Sequence, residues 1–512
     1  MPNTNLSNQP PNSSPSAPQR FHGVQPIRGL ESVPRSSAYE GRFGRMFRNL
    51  PPFAPEDADL LALAATMIES DDEADDKKLD NPDIPAGFTY FGQFVDHDIT
   101  FDPNSKLQRD NDPDATRNFR TPRFDLDSLY ADGPDNNPYL YQQPDRVKLI
   151  VGKNAANEDD LPRNSANPKR ALTGDPRNDE NAIVSQLHLA FIKFHNKVVE
   201  KLPANTPNLF DEARRIVRWH YQWVVIHDYL RRIVGGDDVI NDIIKLDKYK
   251  VPFGSGTKDI PGALNVDLKF YGYKNQPFIP VEFSVAAYRF GHSMVRGDYE
   301  LNPTALNIPI FDVTKPDGDL RGFKERRAGL EIQWARFFEF SGASVELQQS
   351  RKLDTRLAPG LKTLPFIDDM FKSLAERNLL RGKALGLPSG QAVARAMGMT
   401  KGNLILTPAE LDLPTDASSP QGPRDLAKAF DNDTPLWYYI LKEAEVRCNS
   451  KKLGPVGARI VAEVLIGLLD GDPSSYLSAE PTWQPKKDEF GAQQDGKFFM
   501  SDLLRFAGVK IT

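Results

Sequence analysis

The segment Gly92-Gln93-Phe94-Val95-Asp96-His97-Asp98 sets a narrow limit on how this chain folds. A histidine stands between two carboxylates, and its flanks are apolar: Phe88, Tyr90, Phe91, Phe94, Val95, Ile99 and Phe101. An exposed acidic loop does not carry so many large apolar residues, so the window reads as a polar cluster inside a buried frame. The flanking acids raise the basicity of the imidazole and can also bind a hard cation or a cofactor edge. Pro85 and Gly87 precede the apolar periodic run, which puts the motif in or at the end of a helix.

The rest of the chain must build that frame without cross-links, because Cys448 is its single cysteine and excludes an internal disulfide framework. Charges nearly balance, with 64 Lys and Arg against 70 Asp and Glu, and no long basic run marks a nucleic-acid surface. No apolar stretch is long enough for a membrane span. Residues 1–20 lack the pattern of a signal peptide, so a cytoplasmic protein, or one exported by another route, is expected. Residues 1–38, rich in Pro, Ser, Asn and Gln, are expected to form a flexible arm ahead of one large domain over 39–512. An acidic tract, Asp71–Asp76, is expected to be solvated.

Helical periodicity recurs along that domain. It predicts helices over Glu56–Ser70, Ala182–Leu202, Leu209–Val234, Glu325–Ser341, Asp368–Asn378, Trp437–Glu445 and Gly457–Leu469. Shorter pieces are predicted at Gln391–Met397, Thr407–Asp412 and Pro423–Asp431. Residues 102–181 and 236–280 read as irregular connections, the latter with short strands at most. The fold class is mainly α, with long loops and little strand. Within the first loop, Thr121, Arg123, Asp125 and Asp127 alternate, which suits either a hard cation such as calcium or an Asx-rich turn. Arg177 and Glu180 point the same way if their segment is helical; a surface ion pair is the plainer alternative. His188 and His195, like His220 and His227, are two helical turns apart and are expected to be structural. In Tyr288-Arg289-Phe290-Gly291-His292, the glycine lets a flat group approach His292; a buried, satisfied histidine is the plainer alternative.

Taken together and in order, these motifs resemble the animal-type haem peroxidase family of the peroxidase–cyclooxygenase superfamily, in a compact, bacterial-type form. The likeness runs from about residue 85 to about residue 475 and includes Asn378-Leu379-Leu380-Arg381 followed by Gly386-Leu387-Pro388. It implies a single helical haem-peroxidase domain that holds haem b and calcium. His292 would be the axial ligand of the iron, its other ring nitrogen donating to Asn378, with Arg381 in the same proximal segment. His97 would move the peroxide proton, Arg177 would stabilise the charge developing as the O–O bond breaks, and Gln93 would lie by the distal cavity. Asp96 and Glu180 take the positions that form esters to haem methyl groups. Asp98, Thr121, the Arg123 carbonyl, Asp125 and Asp127 would surround calcium.

The partners so implied are hydrogen peroxide, phenol-like one-electron donors, and bromide, iodide or thiocyanate ahead of chloride; the sequence leaves the oligomeric state open, with a monomer favoured. Asn181 stands where some members carry a methionine bonded to the haem vinyl group, so no sulfonium link is implied. Asp127 stands where the family often has serine. Two rivals differ in stated ways. A fatty-acid dioxygenase of the superfamily needs a tyrosine three residues before the axial histidine, where this chain has Arg289, with Tyr288 one further away. A calcium-stabilised adhesion module without haem has no use for both His97 and His292.

Overall fold

In the computed structural model, which describes residues 43–70, 77–101, 118, 120–253, 256–273, 276–312, 314–315, 318–367, 370–399, 404–420 and 422–512, the His97 motif lies on a helix, Gly87–Ile99. A short strand, Asp80–Pro85, leads into it and pairs antiparallel with Gln349–Arg351. Helix entry requires a bare backbone at Gly87: a Cβ there would lie 2.4 Å from the Phe338 ring. The helix stops at Thr100, whose backbone is extended and whose hydroxyl donates to the Asp96 carboxylate at 2.9 Å.

The buried side of this helix packs on two long neighbours. One is Ala182–Lys201, begun by the Asn181 side chain accepting from Ile183 N–H at 2.8 Å. The other starts at Leu209 as an α-helix to Val224 and loosens into a π segment over Val225–Leu230. Phe94 stacks on Phe191 at 4.7 Å and meets Tyr221 edge-on at 6.1 Å. Truncating such a ring costs about 3–5 kcal/mol, since the cavity left behind collapses only in part. The π segment sits where an extra residue per turn re-aims side chains, a device common beside functional sites. It turns Tyr229 into the cavity described below.

Farther along, Leu374–Ala384, Leu436–Cys448, Pro455–Asp470 and Met500–Ala507 complete the helical frame. A contiguous apolar core joins residues from Phe43 to Ala507. Short two-stranded pairs are scattered among the helices, and the mainly helical class expected from the sequence holds. The N-terminal arm 1–38 and the acidic tract Asp71–Asp76 lie outside the described residues.

Several expectations need correction. Residues 236–280 hold a long antiparallel hairpin, Ile244–Phe253 with Gly256–Val266. Its first strand alternates Ile244, Lys245, Leu246 and Asp247, a period-two signal that marks a strand. Glu325–Ser341 forms only a single turn, Trp334–Arg336. Gly329 there takes a left-handed φ of 77°, and Trp334 and Ala335 donate their N–H groups to the C-terminal residues Lys510 and Ile511. Tertiary partners thus displace the local ladder. The helix expected over Asp368–Asn378 begins at Leu374, capped reciprocally by Ser373 and Glu376, and runs on through Arg381.

Candidate active site

His97 and His292 line one cavity of about 440 Å³ although 195 residues of chain separate them. That volume is in the range of small-molecule and cofactor sites. Gln93, Asp96, Arg177 and Glu180 line it beside His97; Tyr288, Arg289 and Arg381 line it beside His292. Every catalytic and cofactor residue expected from the sequence borders this space except Asn378, which touches His292 from behind.

On the His97 side the polar groups are tightly tied. His97 is only 4 % exposed, and its Nδ1 lies 2.8 Å from Asn178 Oδ1. Its Nε2 lies 3.5 Å from the Glu180 carboxylate. Gln93 donates its amide to that same carboxylate. Arg177 donates Nε and Nη2 to Asp175, and Nη2 also to the main-chain carbonyls of His97, at 3.2 Å, and of Thr100. Its guanidinium lies over the Phe101 ring at 4.7 Å. Burial pushes the Asp175 carboxyl up, but the hydrogen bond and charge of Arg177, with the charge of Arg120, outweigh it and hold the group well below the usual carboxylate range. Asp175 therefore stays an anion that fixes Arg177 in place.

The His292 side is built differently. The chain here forms a π segment, Glu282–Ala286, followed by a 3₁₀ segment, Ala287–His292. A Cβ on Gly291 would meet nothing within 4 Å, so open space lies beside the ligand candidate. His292 was expected to donate to Asn378. Instead the Asn378 amide nitrogen faces His292 Nδ1 at 2.7 Å, and its oxygen accepts from Arg289 at 2.6 Å. Arginine can only donate, so it claims the amide oxygen and turns the NH₂ group towards the imidazole. Burial first, and then the charge of Arg289, lower the His292 pKa to about 3, which keeps the ring neutral and fit to bind a metal. Burial likewise lowers Arg289 to about 10, helped by nearby Arg381. These two cations suit an anionic ligand edge such as carboxylates.

Behind His97, the carboxylate oxygens of Asp98, Asp125 and Asp127 lie within 4.8 Å of one another. Thr121 donates to Asp125 at 2.7 Å, and the N–H of Leu126 and hydroxyl of Ser128 donate to Asp98. Arg123 sits in the same turn, its N–H bonded to the Thr121 carbonyl. Burial, and then Asp125, raise Asp98 to about 8; Asp127 is raised well above its ordinary value, mainly by burial. Three crowded carboxylates raised in this way fit a dication, which would remove their mutual repulsion.

The sequence reading missed Asn178, Asp175 and Arg120. Arg120 bonds Asp127 at 3.1 Å and Asp175 at 2.7 Å, and so links the carboxylate cluster to Arg177. The Asp175-Pro176 pair was the available signal, an Asp cap ahead of Pro at the first turn position. Of the paired histidines, His195 is structural as expected, held by Tyr130 and the Val147 carbonyl. His220 and His227 also bond within the packing, to Ile216 and Tyr476. His188 is structural too, edge-on to Phe94 and bonded to Asn178, through which it reaches the site.

Residues 107–473 match the family model described as animal haem peroxidase. A "peroxidase-like protein" of Margaritifera margaritifera is 24% identical over 83% of this chain; the chain spans 59% of that relative's length. Among solved structures, peroxidase A from Dictyostelium discoideum superposes with a TM-score of 0.61 at 16% identity, covering 90% of this chain and 93% of its own. A fatty acid alpha-dioxygenase of Oryza sativa superposes with a TM-score of 0.53, also at 16% identity, covering 90% and 78%. These likenesses establish the helical fold that the two enzymes share. Among the described residues, no helix is long and apolar enough to cross a membrane.

Proposed function

Since this chain belongs to the animal haem peroxidase family, we propose that it reduces hydrogen peroxide and oxidises small donors at the cavity between His97 and His292. The observation that carries this is the meeting of a buried imidazole, a fixed guanidinium and a second, neutral imidazole around one open space. Haem b, when bound, supplies the iron that accepts the peroxide oxygen and stores the oxidising equivalents. The chain's residues do the rest. His97 Nε2 takes the proton from one peroxide oxygen and returns it to the other as that oxygen leaves as water. Arg177, held by Asp175, offers charge where the O–O bond polarises without having to reorganise. Gln93, bonded to Glu180, orients water or a halide beside His97.

His292 Nε2 is the iron ligand in this proposal. Iron on Nε2 leaves the ring's proton on Nδ1, so Asn378 must turn its oxygen to the imidazole and share it with Arg289. Arg289 and Arg381 hold the carboxylates of the haem edge. Asp96 and Glu180, both on the cavity wall, are the ester-forming groups, and Asp98, Thr121, Arg123, Asp125 and Asp127 hold calcium. The donors are phenols, bromide, iodide or thiocyanate. The body of the domain is 39–512.

An absorption spectrum of the haem-loaded protein, taken before and after peroxide with bromide and a phenol as competing donors, tests this. Peroxide-dependent spectral change reversed by either donor is expected. A second reading has one observation in its favour: Tyr288 lines the cavity. Its hydroxyl, however, donates to the Gly92 carbonyl at 3.2 Å, and the position three residues before His292 is Arg289. Rapid oxygen uptake with a polyunsaturated fatty acid, without peroxide, would favour a dioxygenase instead.

A further inference from the structure

Asn178 stands between two buried imidazoles. Its Oδ1 lies 2.8 Å from His97 Nδ1, and its Nδ2 lies 2.9 Å from His188 Nδ1. All three residues are buried, and Asn178 is fully so. An amide has one accepting end and one donating end, and a neutral imidazole has one donating nitrogen and one accepting nitrogen. The three side chains therefore form a directed chain. Asn178 donates to His188 Nδ1 and accepts from His97 Nδ1–H, which leaves His97 Nε2 without a proton; the Glu180 carboxylate stands 3.5 Å from Nε2 and takes its hydrogen bond from Gln93 instead. Run in reverse, the same chain would place the proton on His97 Nε2, where it would block proton uptake.

We propose that Asn178 is a positioning residue that locks the tautomer of His97, so that Nε2 presents a bare lone pair to the cavity. The inference rests on the peroxidase reading above. His188 is the anchor at the far end. Burial lowers its pKa to about 3, so it stays neutral and keeps an accepting nitrogen for the amide. The turn Pro176–Asp179 holds Asn178 in place, with its N–H bonded to the Asp175 carbonyl at 3.2 Å. Asp175 also grips Arg177, so one short turn positions both the proton acceptor and the cation.

The test uses the haem-loaded protein, its Asn178→Leu and Asn178→Asp variants, and carbon monoxide bound to the reduced haem as a probe. A bare Nε2 facing the probe gives a higher C–O stretching frequency; an Nε2–H that donates to it gives a lower one. Leucine removes the acceptor, frees the ring to take the other tautomer, and should shift the band down. The rate of reaction with peroxide should fall by roughly 10- to 100-fold, the usual cost of losing an outer-shell partner. Aspartate keeps an acceptor at His97 Nδ1, so the wild-type band and a rate within a few-fold of wild type should return.

An unshifted band and an unchanged rate in Asn178→Leu overturn the proposal. Should that variant fold poorly, an unshifted band and an unchanged rate in Asn178→Ala overturn it equally. A wild type that binds haem and shows the expected band pattern across the variants, yet does not turn over peroxide, keeps the tautomer lock and sinks the peroxidase reading. A protein that takes up no haem removes both.

Discussion

The two walls of the cavity are held by opposite strategies. Around His97, a regular helix, a 3₁₀ turn and an acidic loop are cross-linked by directed bonds: Asn178 to His97, Asp175 to Arg177, and Arg120 from Asp175 to Asp127. Around His292, a π and a 3₁₀ segment carry the ligand candidate, and a single amide, Asn378, is shared between it and Arg289. A group that must hand a proton to and fro needs a fixed tautomer and a fixed cation beside it. A metal ligand needs only one well-aimed lone pair, and the metal supplies the remaining order. The contrast teaches that the proposed proton transfer is concentrated on one wall, while the proposed iron ligand stands on the other.

That division can be broken from either side. The largest effect should come from His292→Ala, which removes axial ligation: the histidine-ligated spectrum is lost and peroxide turnover falls to background, as a haem titration followed by stopped-flow mixing will read. Next is His97→Ala, which should lower the peroxide rate by roughly 10²–10⁴-fold, the range for a positioned acid–base group, while haem affinity is unchanged. Equal losses of haem affinity in both variants would erase the distinction between the walls. Removal of calcium by a chelator comes third. It should loosen the His97 wall through Asp127, Arg120 and Asp175 and lower the peroxide rate by about 10-fold, with His292 ligation intact. An unchanged rate after demonstrated metal loss would cut the loop out of the account.

The smallest effect concerns pH. Burial lowers His195 to about 4, against 6.5 in the unfolded chain. Between those values the unfolded chain binds the extra proton, so stability rises with pH across the window and is lost as pH falls from 6.5 to 4. The slope of unfolding free energy against pH should be steeper in wild type than in His195→Gln, by up to about 1.4 kcal/mol per pH unit. Identical slopes would show that this imidazole is not held neutral by the fold.

Most of the site was legible in the sequence because its residues come in local clusters. Gln93, Asp96 and His97 share one helix, and Arg177 and Glu180 one turn, so each cluster is visible locally, while the family resemblance is what joined the clusters into one site. What stayed hidden were partners brought in by tertiary folding. Asn178, Asp175 and Arg120 are ordinary polar residues in a loop-rich stretch, and their roles exist only once the acidic loop folds under the helix. The link from His188 through Asn178 stayed hidden for the same reason: helical spacing tells which face a residue shares, not what meets that face. The fold errors have a common source as well. The 334–336 turn is held by partners at residues 510–511, which no local pattern announces, whereas the Ile244–Phe253 strand was readable in its alternation and was overlooked.

The central claim is that His97 and His292 face a single haem. Crystals of the haem-loaded protein, with an anomalous map recorded at the iron edge, test it most directly. One iron peak within ligand distance of His292 Nε2, with His97 across the porphyrin from it, is predicted. An iron bound elsewhere, or both imidazoles on the same side of the ring, would contradict it.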